Sequence, residues 1–266
     1  MAVRDEVKAE RDKMKGRPLK DRLEYFWEYY KIHTIVGVVL LVIAFSIGHS
    51  ILSNREDALN AVFVNADALD DGAAEELTEQ VARRSNIKTD EKDVNIDLFR
   101  TLSLGGPVNQ TDFGTAGRFQ AQMQDHALDV MVLDPWYFTY YTNQTTFMDL
   151  RNILSKEELE SLKDRLYYVD LVELKDLQKE MAKADYQFVP EEPAKVLQGE
   201  LRKNYKKPDP DRMQDPAPVG VILSDSAFIK KHKLYEGVDP ILGFVNLMDK
   251  SHKKAAKALL TELAKK

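Results

Sequence analysis

Cysteine is absent from this chain. That excludes disulfides, thiolate chemistry and Cys-ligated zinc, and also any lipid carried on an N-terminal cysteine. Cationic excess is absent too: 38 Lys and Arg stand against 44 Asp and Glu, a net charge of −6. The excess is unevenly spread. Residues 1–33 carry nine Lys/Arg and seven Asp/Glu, hence +2, whereas residues 54–266 carry 29 against 37, hence −8. An acidic domain lacks the clustered cations that phosphate backbones require, so nucleic acid is not an expected partner.

Catalytic signatures are also missing. The sequence contains no Gly-x-Ser-x-Gly, no His-Glu-x-x-His and no phosphate-binding loop, and its five histidines are scattered. The stretch "DALDDG" (residues 67–72) has the outline of a calcium loop. Counting from Asp67, however, Leu69 and Thr78 fall where oxygen-rich ligands belong. These aspartates read better as helix caps. No enzyme, cofactor or metal is expected.

What the chain does contain is one long apolar run. Residues 34–53 are twenty positions without Asp, Glu, Lys or Arg, in a protein that is otherwise 31% charged. A helix of that length spans about 30 Å, the thickness of a bilayer's hydrocarbon core. A secretory signal has a shorter apolar region and a shorter leader than the 33 residues found here, so the run predicts a retained anchor. Lys13, Lys15, Arg17, Lys20, Arg22 and Lys31 precede it, and Arg55 is the only Lys or Arg between it and Arg83. The positive-inside rule then places the N-terminus in the cytoplasm and residues 54–266 outside. Just before the run, Leu19, Leu23, Phe26, Trp27 and Tyr30 fall on one helical stripe behind Pro18. They predict an amphipathic helix at the cytoplasmic interface, or one packed on another membrane protein. Ala44 and Gly48 form one small-xxx-small pair, a weak signal for a second helix.

Beyond the run, apolar patterning predicts strands at 57–67, 94–98 and 128–134, with helices at 73–84 and 114–127 between them. Strand and helix alternating at this spacing imply right-handed crossovers and a parallel sheet. Residues 146–170 and 172–184 read as helices, 219–225 and 241–247 as strands, 226–233 as a helix, and the chain closes with an amphipathic helix. Six of the ten prolines lie in 188–218, which excludes long regular elements from the stretch 187–218.

The order of these elements, together with "HALDVMVLDPWYFTYYTNQTTFMDLRNIL", "APVGVILSDSAFIKK" and "KSHKKAAKALLTEL", resembles the extracytoplasmic solute-binding proteins of bacterial ABC importers in their two-lobed, type II form. The likeness is one of order and pattern over residues 58–266. It implies an α/β domain with a mainly parallel sheet flanked by helices, tethered by the helix in place of a lipid. The second lobe is then reduced to about fifty residues, 171–218. The implied function is a single-pass, membrane-anchored binding protein that recognises a small solute or assists a transporter. A degenerate fold acting purely as a protein-protein interaction module is the alternative.

Ligands of open parallel sheets sit beyond the carboxyl ends of the strands. The aromatic loop "DPWYFTYYTN" (134–143) leaves such an end, so Trp136, Tyr137, Tyr140 and Tyr141 are candidates to stack on a flat or sugar-like solute. The structural reading, which is favoured, is that they cover the sheet edge and the following helix. Asn109 and Gln110, in the loop after the preceding strand, are candidate polar lining.

Overall fold

The structure, a computed structural model, describes residues 18–53, 55–69, 71–102, 117–119, 121–183 and 207–266. It divides into two compact units, Met1–Arg55 and Glu56–Lys266.

In the first unit one helix lies among the described residues: α1 (Leu19–Ser53, 35 residues) starts directly after Pro18 and continues unbroken through the apolar run. Proline at the edge of a helix gives up an N–H that would have no partner there. Ile35, Val36, Val38, Val39, Leu40, Leu41, Val42, Ile43 and Phe45 are all exposed. Among the described residues no helix is long and apolar enough to cross a membrane. The anchor expected at 34–53 is therefore not shown by the structure.

The second unit is α/β. A six-stranded sheet runs in the order β2-β1-β3-β6-β5-β4, with β1 Glu56–Val64, β2 Lys92–Arg100, β3 Val130–Leu133, β4 Leu166–Asp170, β5 Pro216–Ile222 and β6 Ile241–Phe244. β1 pairs in parallel with β2 and β3. The remaining three pairings, β3–β6, β6–β5 and β5–β4, are antiparallel. The sheet is thus mixed, which corrects the expectation of a mainly parallel one. The first three strands run parallel, as the alternation of strand and helix predicts, and β4, β5 and β6 each run antiparallel to their neighbours.

Strand alternation builds two cores. Leu59, Ala61 and Phe63 of β1 face the same side as Val130 and Val132 of β3 and Leu242 and Phe244 of β6. Helices α2 (Gly72–Ser85) and α7 (Lys253–Leu263) cover this face through Leu77, Val81, Leu259 and Leu263. Arg84 of α2 and Lys265 both pair with Glu262, a buried carboxylate of α7. Val62, Val64, Met131, Leu133, Ile241 and Val219 point to the other face, where Phe119, Met123 and α3 (Pro135–Asn143) pack. Two shorter helices, α4 (Lys156–Leu162) and α6 (Ala227–His232), begin at Ser155 and Ser226, whose hydroxyls accept from Glu158 N and Ile229 N. Helix α5 (Leu171–Met181) follows β4 and starts at Asp170, which accepts from Val172, Gln214 and Asp215 N–H groups.

Three local expectations change. Residues 166–170, taken into a helix, form strand β4: Tyr167, Tyr168 and Val169 are strand formers and find a partner in β5. Residues 134–143 are not a loop but carry α3. β5 begins at Pro216 and includes Pro218, inside the proline-rich stretch. Those prolines are tolerated because β6 pairs only with Val221 and Ile222, leaving one edge of the strand unpaired where they stand.

Candidate functional site

The carboxyl end of β3 leads straight into α3. Asp134 is buried, and its Oδ1 accepts from Trp136 N at 2.9 Å and Tyr137 N at 3.1 Å. Pro135 occupies the first helical turn. An Asp-Pro pair therefore acts as a cap and start signal, which turns the eight following residues into a helix carrying five aromatics.

The helix sorts its aromatics. Tyr137, Phe138 and Tyr141 are buried against the sheet. The Tyr137 hydroxyl donates to the Leu102 carbonyl at 2.7 Å. Burial pushes the Tyr141 phenol up, with Tyr140 and Tyr137 adding to the shift. Phe119 meets the Tyr141 ring edge-on at 5.6 Å. Phe138 stacks on Phe147 and meets Tyr167 edge-on. Trp136 and Tyr140, one turn apart, are half-buried and stacked at 5.9 Å. Of the four aromatic candidates, the structure brings Trp136 and Tyr140 together as a partly accessible pair and commits Tyr137 and Tyr141 to the core. Asn109 and Gln110 lie outside the described residues.

The point where the strand order reverses, between the carboxyl ends of β1 and β3, is where open sheets bind ligands, and here it is occupied by Tyr235. Its hydroxyl lies 3.0 Å from both the Val64 and Val132 carbonyls, the last or near-last groups of the two strands. Asp67 straps the segment down: its N–H donates to the Leu234 carbonyl at 2.6 Å, and its Oδ2 accepts from Glu236 N at 3.1 Å. Beside it, Asn65 adopts a left-handed backbone, φ 55°. Its side-chain amide exchanges two hydrogen bonds with the Leu102 backbone, at 3.0 and 2.9 Å. This carries the β1–β2 ladder past the strand ends. Nothing in "KHKLYEG" marks Tyr235 beforehand; a lone tyrosine in a polar turn has no periodicity to betray it.

Two large apolar side chains stand exposed on the elements that end here. Leu69, in the loop after β1, is 94% exposed, and Phe99, near the end of β2, is 49% exposed.

One acid–histidine pair lies at the opposite end. Asp129, fully buried, accepts from Asn60 N at 2.7 Å, and its Oδ2 lies 2.9 Å from His252 Nδ1. Burial raises the Asp129 carboxyl above its ordinary value, and the bonds from Asn60 and His252 offset only part of that rise. The pair ties β1, the start of β3 and the entry to α7 together. Neither residue lines the hollows around Leu247, Leu260 or Leu174. Its geometry is that of a structural clamp. Among the described residues no three His, Asp or Glu side chains converge to hold a metal ion.

No protein-family model, no curated protein and no solved structure matches the chain.

Proposed function

We propose that residues 56–266 form a protein-binding module, a domain like that of a solute-binding protein whose ligand crevice is closed. The helix α1 tethers it to a membrane through residues 34–53, with the N-terminus cytoplasmic and the domain extracytoplasmic. The partner is another protein of the same membrane, as for an accessory component of a transporter. The module acts by binding and not by catalysis.

The observation that carries this reading is Tyr235. A solute cannot reach the β1 and β3 carbonyls while that hydroxyl is bonded to both. Exposed Leu69, in the loop after β1, and Phe99, near the end of β2, favour a protein surface, which can bury them, over a hydrated sugar or amino acid, which cannot. The exposed aliphatic surface of α1 and the charge-free run support the tether. A second reading, solute recognition at the rim, rests on the Trp136–Tyr140 stack alone.

Topology is tested first, and the lack of native cysteine makes it simple. Single cysteines at Ala9 and Lys250 are exposed to an impermeant thiol reagent on intact cells. Labelling is expected only at position 250. Labelling only at position 9, or recovery of the domain without membranes, overturns the tether. Co-purification in mild detergent then tests the partner: a stoichiometric membrane protein is expected, and its loss on Leu69→Asp with Phe99→Asp.

A further inference from the structure

A second concave site lies at the other end of the sheet, where β6 runs out beside the start of β3. It is a hollow of about 250 Å³. Five neutral polar side chains line it: Gln124, Gln144, Thr145, Thr146 and Asn246. Met123 and Leu247 supply apolar wall, and Leu247 is 45% exposed. No Asp, Glu, Lys or Arg lines it, in a protein where 31% of residues are charged.

The walls are held in place by the backbone. Thr145 is a β-branched residue at φ 56°, a left-handed conformation that such residues avoid. It is fixed there by Thr145 N donating to the Thr142 carbonyl at 2.8 Å and Thr146 N donating to the Tyr141 carbonyl at 3.2 Å. Asn246 N donates to the Thr146 carbonyl at 2.7 Å, closing the loop onto the end of β6. His126, outside the lining, braces Leu247: its Nδ1 lies 2.5 Å from the Leu247 carbonyl. Strained residues held by several bonds are characteristic of sites that present side chains to a ligand. Among the described residues the side-chain amides of Gln124 and Gln144 and the Thr146 hydroxyl make no hydrogen bond, whereas Asn246 Nδ2 donates to the Thr145 carbonyl at 3.3 Å and Thr145 Oγ1 to the Gln144 carbonyl at 2.7 Å.

The geometry points to a binding site for one neutral, polyhydroxylated ring, a monosaccharide unit. Three features choose that class. The absence of charge leaves nothing to compensate a phosphate, carboxylate or ammonium ion, which bind through charge-assisted bonds. Amides and hydroxyls each donate and accept, as sugar hydroxyls do. Met123 and Leu247 give the C–H face of a ring an apolar surface. The volume lies just under the about 300–1,000 Å³ typical for drug-sized ligands, which suits a single ring. The site lies away from the Tyr235 rim and does not rest on the protein-binding reading; either can fail alone.

The test uses the full chain in an amphipol, because sugar-headed detergents would compete. Saturation-transfer NMR is recorded with the methyl glycosides of glucose, galactose and mannose, with glucose 6-phosphate and with a blocked Gly-Gly peptide. A saturable signal from at least one methyl glycoside is expected, weakened about tenfold or more by Gln144→Ala and by Asn246→Ala. Gln124→Ala, on a separate element, should weaken it too, and unchanged circular dichroism in each variant confirms folding. No saturable signal from any glycoside overturns the assignment, as does a signal that survives all three substitutions in folded protein. Tighter binding of glucose 6-phosphate or of the peptide overturns the ligand class.

Discussion

The rings of Phe138 and Phe147 stack face to face, with centroids 4.3 Å apart and planes 4° from parallel. The stack lies flat on the sheet because Gly220 and Gly243 give it room. A Cβ at Gly243 would fall 2.5 Å from Phe147 Cδ1 and 2.9 Å from Phe138 Cε2. Gly243→Ala should therefore destabilise the domain by about 1–3 kcal/mol, the range for overpacked cores. Thermal or urea melting reads this directly. Adding Phe147→Leu should recover part of the loss, since the two sites share one contact.

The aromatic helix makes a graded prediction. Tyr137→Ala and Tyr141→Ala remove buried rings and should each cost about 3–5 kcal/mol. Trp136→Ala, at a half-buried position, should cost under about 2 kcal/mol. Equal losses at all three positions would contradict the sorting of the helix into a buried and an accessible face.

Asp129 sets a pH dependence. Its carboxyl ionises above its ordinary 3.8 in the folded chain because it is buried. A raised folded value means stability is present below the unfolded value and is lost as pH rises through the folded one. Glu76 and Glu262 behave oppositely. Lys231 holds Glu76 low. Burial works against Glu262, but Lys265 and Arg84 outweigh it. Their contributions disappear on acidification in any variant. The melting point of the parent minus that of Asp129→Asn cancels them. That difference should shrink as pH rises from about 4 toward neutrality. A difference that is flat or grows with pH would contradict the buried-carboxyl account, whose neighbours here are His252 and Asp249.

Legibility in the sequence followed the strength of local signals. The strands at Val62–Val64 and Met131–Leu133 and the helix through Leu77 and Val81 were readable because burial on one or both faces leaves a period. β4 was not, because Leu166–Asp170 follows a strong capping box at Ser155 and continues its helical pattern until Tyr-Tyr-Val finds β5. That partner lies about fifty residues away, and no local pattern encodes it. The same holds for the antiparallel half of the sheet. Of the candidate site, Trp136 and Tyr140 were visible as aromatics, but their separation from Tyr137 and Tyr141 required knowing that Asp134 starts a helix. Tyr235 and the amide-lined hollow are built from residues far apart in sequence, single tyrosines and glutamines whose roles come only from the fold.

The central claim is that the rim around Tyr235 meets a protein. A photo-crosslinking phenylalanine analogue at Leu69, in the full chain in native membranes, tests it most directly; the same analogue at exposed Lys254, at the start of α7, is the comparison. The account predicts a discrete adduct with one membrane protein from position 69 and none from position 254. No adduct at position 69, or the same adducts from both positions, would contradict it.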